Sequence, residues 1–282
     1  MTGRLIELAS RGISLYIREE GSGLPVLLMH GGPGADHSTL MSLLPLADIH
    51  RLIFYDHRCN GRSSKPELET MEWGNLTADA DAIRQHFGID RWAVIGHSFG
   101  GMVALEYAIR YPQNLTHLVL LDTGGDSVWI QSNASSELEK KGYSKLVVET
   151  AARFYRGAIA RNEFMKSMMI LGKAYYSHPS VWLLLKEAFH GLRIHANAGA
   201  CIYGFKKLFS GWTVMDKLNQ IQAHTLIVAG SDDFQFPPIH QKELQIGILG
   251  SRLELIADAG HNAHIEQAGK IVALIGSFLE DG

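Results

Sequence analysis

Cysteine is scarce in this chain: 282 residues contain only Cys59 and Cys201. The two stand far apart and form no CxxC or Cys/His ligand spacing, which argues against a disulfide framework or a zinc site. A reducing, cytoplasmic setting fits this usage. Positive charge is not in surplus either, since 26 Lys+Arg against 29 Asp+Glu leave a net charge of −3. The basic footprint that nucleic acid or an anionic membrane would need is therefore missing. No stretch of about 18 uncharged apolar residues is present, the length needed to cross a bilayer. The opening MTGRLIELASRGISLYIREE alternates polar and apolar residues and carries acids early, unlike a secretory signal. Internal repeats, low-complexity tracts and long Pro/Gly linkers are also lacking. What remains is ordinary globular composition, 46% hydrophobic and 20% charged, enough for a large core in one or two domains.

Short apolar, β-rich runs recur at Leu5 to Ala9, Ser14 to Arg18, Val26 to Met29, Arg51 to Tyr55, Trp92 to Ile95, Leu118 to Leu121, Thr225 to Val228 and Leu253 to Ile256. The first two alternate around Arg11-Gly12 as a hairpin does, whereas the later runs are solidly apolar and separated by helix-length segments. This predicts an α/β fold whose eight-stranded, mostly parallel sheet carries an antiparallel edge and helices on both faces. Ligands of such sheets bind outside the C-terminal strand ends, so the chemistry is expected in strand-to-helix loops. Between Asp126 and Met215 the strand rhythm gives way to helical segments rich in aromatics and methionines, among them Trp129, Phe154, Met165, Met169, Trp182, Phe189 and Trp212. We expect a helical cap over 126–215, packed as a lid on a core of 1–125 and 216–282. Ile271, Leu274, Ile275 and Phe278 form one apolar face of a closing helix.

Gly96-His97-Ser98-Phe99-Gly100 stands directly after the strand Trp92 to Ile95 and before the helical MVALEYAIRY. A G-x-S-x-G in that context makes a sharp turn that projects the serine hydroxyl at the sheet edge. Serine needs a histidine base, and the base needs a carboxylate to set its tautomer. After the seventh strand come Asp232 and Asp233; after the eighth come His261 and His264. The order Ser, Asp, His is that of α/β-hydrolases. Asp233 is preferred to Asp232, whose type suits a turn or cap, and His261 follows Gly260 in the loop while His264 begins the closing helix. A metal pair of His261 and His264 is disfavoured, because neither HExxH nor a third ligand at a telling spacing accompanies them. Ser98, Asp233 and His261 are thus the candidate catalytic residues, with no metal and no cofactor required.

Acyl transfer also needs donors for the developing oxyanion. His30-Gly31-Gly32-Pro33-Gly34 is a loop of the right kind: its glycines permit close backbone approach, and it lacks both the G-x-G-x-x-G and the G-K-[ST] patterns of phosphate cradles. The amides of Gly32 and Phe99 are the candidate oxyanion hole.

The strings HGGPGADH (30–37), FYDHRCNGRSSKP (54–66), GHSFGG (96–101), GSDDFQFPP and AGH together resemble the proline iminopeptidase branch of the α/β-hydrolase superfamily. HGGPG is the most family-specific piece. The resemblance implies a serine hydrolase whose acid falls on Asp233 and whose base falls on His261. The segment from Asp56 to Ser63 matches the family's D-Q-R-G-x-G-x-S with His57 and Cys59 as departures; Asp56 and Arg58 are read as structural and Cys59 as a small buried residue. The family's cap glutamates, which recognise a free amine, have no alignable counterpart between Asp126 and Met215. Glu187 is the acid of the apolar stretch SVWLLLKEAF and is read as an exposed helix position.

The expected partner is a small molecule or short peptide. A substrate with a free amine leads because of HGGPG. An ester or lactone, such as an acyl-homoserine lactone, follows because of the apolar cap, and carbon–carbon bond hydrolysis is also compatible with the scaffold. A non-catalytic receptor is the competing reading from outside enzymology.

Overall fold

A computed structural model describes residues 3–191 and 193–281 of the chain. Eight strands form one sheet: β1 (Arg4–Leu8), β2 (Ile13–Glu20), β3 (Leu24–Met29), β4 (His50–Tyr55), β5 (Trp92–His97), β6 (Leu115–Leu121), β7 (His224–Gly230) and β8 (Arg252–Ile256). Their order is β1-β2-β4-β3-β5-β6-β7-β8. The pairs β1/β2 and β2/β4 are antiparallel and all others parallel, as the change in apolar pattern along the sequence predicts. The first hairpin turns through Gly12 at φ 63, in the left-handed region.

Solid apolar strands arise because both faces are covered. Along β3, Leu27 and Met29 join a cluster with helices α1 (Trp73–His86) and α2 (Phe99–Arg110), while Val26 and Leu28 join the opposite one. That opposite face is covered by an irregular 3-10 segment, His37–Asp48, and by the closing helix, Ala268–Glu280. Ile271 and Ile275 of that helix are buried, and Leu274 and Phe278 pack partly against the same cluster.

Between β6 and β7 the chain forms α3 (Ala134–Lys140), α4 (Lys145–Phe154), α5 (Phe164–Leu171), α6 (Val181–Gly191) and α7 (Ala198–Tyr203). Asp126 pairs antiparallel with Thr213, which draws the ends of this segment together. Helix α8 (Pro238–Gly247) follows β7; after β8 come α9 (Ala263–Glu266) and the closing helix, α10. The expectation that the aromatics and methionines of 126–215 pack inward holds for Phe154 and Trp212, which are buried, and fails for Trp182 and Met169, which are 81% and 74% exposed. Trp182 lies on α6, whose sequence VWLLLKEAFHG is apolar on several faces and none of whose residues is buried.

Candidate active site

Ser98 sits between β5 and α2 at φ 53 and ψ −119, a conformation that L-residues adopt only when their surroundings enforce it. Enforcement is visible on both sides. A Cβ on Gly96 would lie 2.5 Å from the Gly100 carbonyl oxygen, and one on Gly100 would run into the Met29 carbonyl. The Ser98 amide donates to the Leu121 carbonyl at 3.0 Å, and the Thr123 hydroxyl donates to the Ser98 carbonyl at 2.6 Å. The turn is thereby pinned to the end of β6.

The loops after β5, β7 and β8 bring three of the predicted residues into one chain of hydrogen bonds. Ser98 Oγ lies 2.9 Å from His261 Nε2, and His261 Nδ1 lies 2.9 Å from Asp233 Oδ2. Asp233 Oδ1 accepts the amides of Gln235 and Phe236 at 2.8 and 3.2 Å. A carboxylate only accepts, so the imidazole proton belongs on Nδ1 and the Nε2 lone pair faces the serine. The three residues are 7%, 2% and 1% exposed for Ser98, His261 and Asp233 respectively. Their spare candidates lie elsewhere: Asp232 bonds the Ser177 hydroxyl and pairs with Lys141 at 3.5 Å, while the His264 ring, on α9, donates to the Thr39 carbonyl at 3.2 Å.

The glycine loop runs alongside. A Cβ on Gly31 would touch that of Ser98 at 3.4 Å, and Gly32 holds φ 124. Phe99 heads α2, where an N–H has no intrahelical acceptor and is free for a ligand. Behind the loop, Asp56 accepts the His37 amide at 2.9 Å, the His37 ring at 2.7 Å and the Arg62 amide at 2.8 Å. Arg58 clasps Asp79 through two contacts of 2.6 Å. Both residues tie loops together and touch neither Ser98 nor His261 in this network. Cys59 is buried at φ 63, and burial raises its thiol pKa.

Aromatic rings gather around Phe99, the residue after Ser98. Phe99 neighbours His57, Trp73 and Phe209, and Trp73 stacks on Trp212 at 4.7 Å. On the other side the Tyr175 ring stands 5.7 Å from His261, and its hydroxyl accepts from Tyr155 at 3.0 Å. The segment between β6 and β7 rests directly on the loops that carry Gly34, Cys59 and Asn262. Asn197 donates its amide to Gly34 O and its side chain to Cys59 O, both at 2.8 Å, and Asn262 donates to Tyr175 O at 3.1 Å. Asn197, Tyr175 and a buried acid at the end of β6, Asp122, were not singled out from sequence; only Asp122 carried a signal there, as an acid closing the apolar run LVLL. No carboxylate of 126–215 is buried among the described residues: Asp126 caps a turn, Glu137, Glu149 and Glu163 pair with Lys140, Lys145 and Arg153, Glu139 is exposed and Glu187 half-exposed.

The family model for the alpha/beta hydrolase fold matches residues 25–268. Proline iminopeptidase PfmaB of Pestalotiopsis fici is 29% identical over 263 residues, covering 90% of this chain and 91% of the relative. Among solved structures, an esterase (EaEST) from Exiguobacterium antarcticum superposes with a TM-score of 0.79 at 22% identity, covering 99% of this chain and 100% of that one. A proline iminopeptidase from Mycobacterium smegmatis superposes at 0.76 with 21% identity, covering 99% and 98%. No helix among the described residues is long and apolar enough to cross a membrane. Matched along most of its length by sequence and by fold, the chain belongs to the α/β-hydrolase family and is a hydrolase similar to proline iminopeptidases.

Proposed function

We propose that this enzyme is a serine hydrolase acting through Ser98, His261 and Asp233, with residues 126–215 as a cap on a core of 1–125 and 216–282. The observation that carries the reading is the unbroken hydrogen-bond chain from Ser98 Oγ through His261 to Asp233. Ser98 Oγ attacks the substrate carbonyl while His261 Nε2 takes its proton, and the amides of Gly32 and Phe99 hold the oxyanion. Collapse breaks the bond to the leaving amine or alcohol, which receives that proton; water then releases the acyl group by the same steps in reverse.

The substrate class best supported is a small ester, lactone or amide with an apolar acyl portion. Rings of Tyr175 and Phe236 flank His261, that of Phe99, next to Ser98 in the chain, packs with Trp73 and Phe209, and none of the six acids of 126–215 is buried to pair with an ammonium. Similarity to proline iminopeptidases favours a second reading, an amide with a free amine. Fluorophosphonate labelling with peptide mapping tests the nucleophile. Modification at Ser98, and a loss of turnover on the order of 10³-fold or more in Ser98→Ala, is expected. Folded protein that stays unlabelled removes the proposal. Proline naphthylamide and its N-acetylated form then separate the two substrate readings, since only an amine-dependent enzyme loses the acetylated substrate.

A further inference from the structure

Behind the nucleophile lies a second set of buried polar side chains that the hydrolytic scheme does not use: His97, Asp122 and His264. One ligand-type atom of each lies within 4.8 Å of the other two. Asp122 stands at the end of β6 at φ 44, and its Oδ1 accepts the Gly230 amide at 2.8 Å, beside the loop that carries Asp233. His97 Nε2 lies 3.1 Å from the carbonyl oxygen of His261, and His264 Nε2 lies 3.2 Å from that of Thr39. A carbonyl only accepts, so both Nε2 atoms carry protons. A neutral imidazole has only one N–H, which leaves each Nδ1 as a bare lone pair. Both Nδ1 atoms are buried without a hydrogen-bond partner.

We infer that Asp122 works as a neutral carboxylic acid whose O–H donates over one bridging water to an imidazole Nδ1 of this pair, and that the shared proton positions the backbone of His261. Were Asp122 ionised, the two buried imidazole lone pairs beside it would have no donor at all. A proton on Asp122 converts one acceptor into a donor and removes one charge. Burial first, then the charge of Asp233 and more weakly that of Glu266, push the Asp122 carboxyl well above its usual range, against the downward pull of the Gly230 and Ala263 amides. Burial, reinforced by the neighbouring His264, His261 and His30, keeps His97 neutral, and burial does the same for His264. Asp122 is thus a positioning residue, acting on the base through His97 and the His261 carbonyl.

The inference rests on His261 being the base, and its test separates the two. Asp122→Ala leaves the Gly230 amide without its acceptor and is expected to slow Ser98 labelling about tenfold or more, whereas Asp122→Asn, which accepts and donates in the same pattern, restores the rate to within about threefold. The acid limb of the labelling rate stays where it was, because no charge beside His261 has been removed. A neutral Asp122 also costs the wild type stability as pH rises, since the unfolded chain releases a proton that the folded chain retains. The urea midpoint of Asp122→Asn relative to wild type should therefore rise between about pH 5 and pH 8. A difference that stays flat or falls between about pH 5 and pH 8, or an acid limb displaced by about half a unit, overturns the inference by showing a charged Asp122. Carboxyl 13C signals of wild-type protein labelled at aspartate decide independently of any variant: a neutral-acid shift for Asp122 at pH 7 supports it, and a carboxylate shift overturns it. Stoichiometric transition metal in the purified protein overturns it as well. If wild-type Ser98 does not label, the hydrolytic assignment fails while the urea and 13C measurements still decide the proton on Asp122.

Discussion

Asp233 presents one carboxylate oxygen to His261 Nδ1 at 2.9 Å with its side chain fully buried, while its sequence neighbour Asp232 faces out, 38% exposed. The peptide bond between them separates two environments, because consecutive side chains in this loop point to opposite sides. One carboxylate meets an imidazole and two backbone amides; the other meets a serine hydroxyl and a lysine.

The two aspartates should therefore respond differently to the same change. Asp233→Asn keeps the shape but permits the wrong imidazole tautomer, and a loss of about 10⁴-fold in turnover is expected. Asp232→Asn should stay within about threefold of wild type, since it removes only a partly exposed ion pair. Steady-state kinetics on any ester accepted by the enzyme checks both, and the reverse order would move the acid to Asp232.

Arg58 and Asp79 form a buried pair with two contacts of 2.6 Å, outside the hydrogen-bond chain of Ser98, His261 and Asp233. Asp79 also meets Arg11 at 3.0 Å, so removing Arg58 leaves its carboxylate with one part-exposed partner in place of two. Arg58→Ala should lower stability by up to about 3 kcal/mol by urea denaturation. The labelling rate per folded molecule should change little; a large fall in that rate at unchanged stability would give Arg58 a role in the chemistry instead.

Acid should destabilise this protein through its buried histidines. Burial lowers the His264 pKa to about 4 and that of His30, His57 and His97 in the same direction. The unfolded chain takes up the His264 proton below about pH 6.5 and the folded chain only near pH 4, so stability falls as pH drops through that interval. His264 alone accounts for a loss on the order of 3 kcal/mol at the bottom of the window. Urea midpoints at about pH 7.5 and pH 5 should show a shallower loss for His264→Gln than for wild type; equal slopes would mean that His264 is already protonated when folded.

Much of the architecture was legible because it depends on local pattern. Solid apolar runs such as WAVI in β5 mark strands covered on both faces, and the strand, GHSFG and helix in register mark the turn that raises Ser98. The glycines of that turn are readable too, since backbone packs where Gly96 and Gly100 lack a Cβ. Local pattern says less about which way a long helical insertion faces. Helix α6 is apolar in sequence yet exposes Trp182, because burial depends on whether another layer lies beyond it.

By itself, the sequence determined the order of strands and loops, the sharp turn at Ser98 and the candidates for nucleophile, acid and base. Periodicity and turn chemistry act over a few residues, and those assignments need no more. The hydrogen bond between His261 and Asp233, the seating of Asn197 and Tyr175 on the loops around Gly34, Cys59 and Asn262, and the meeting of His97, Asp122 and His264 were decided only by the tertiary structure. Each joins residues from separate strand ends that the sheet order brings together, and a hydrogen bond spanning 28 positions, as between His261 and Asp233, leaves no local trace in the chain.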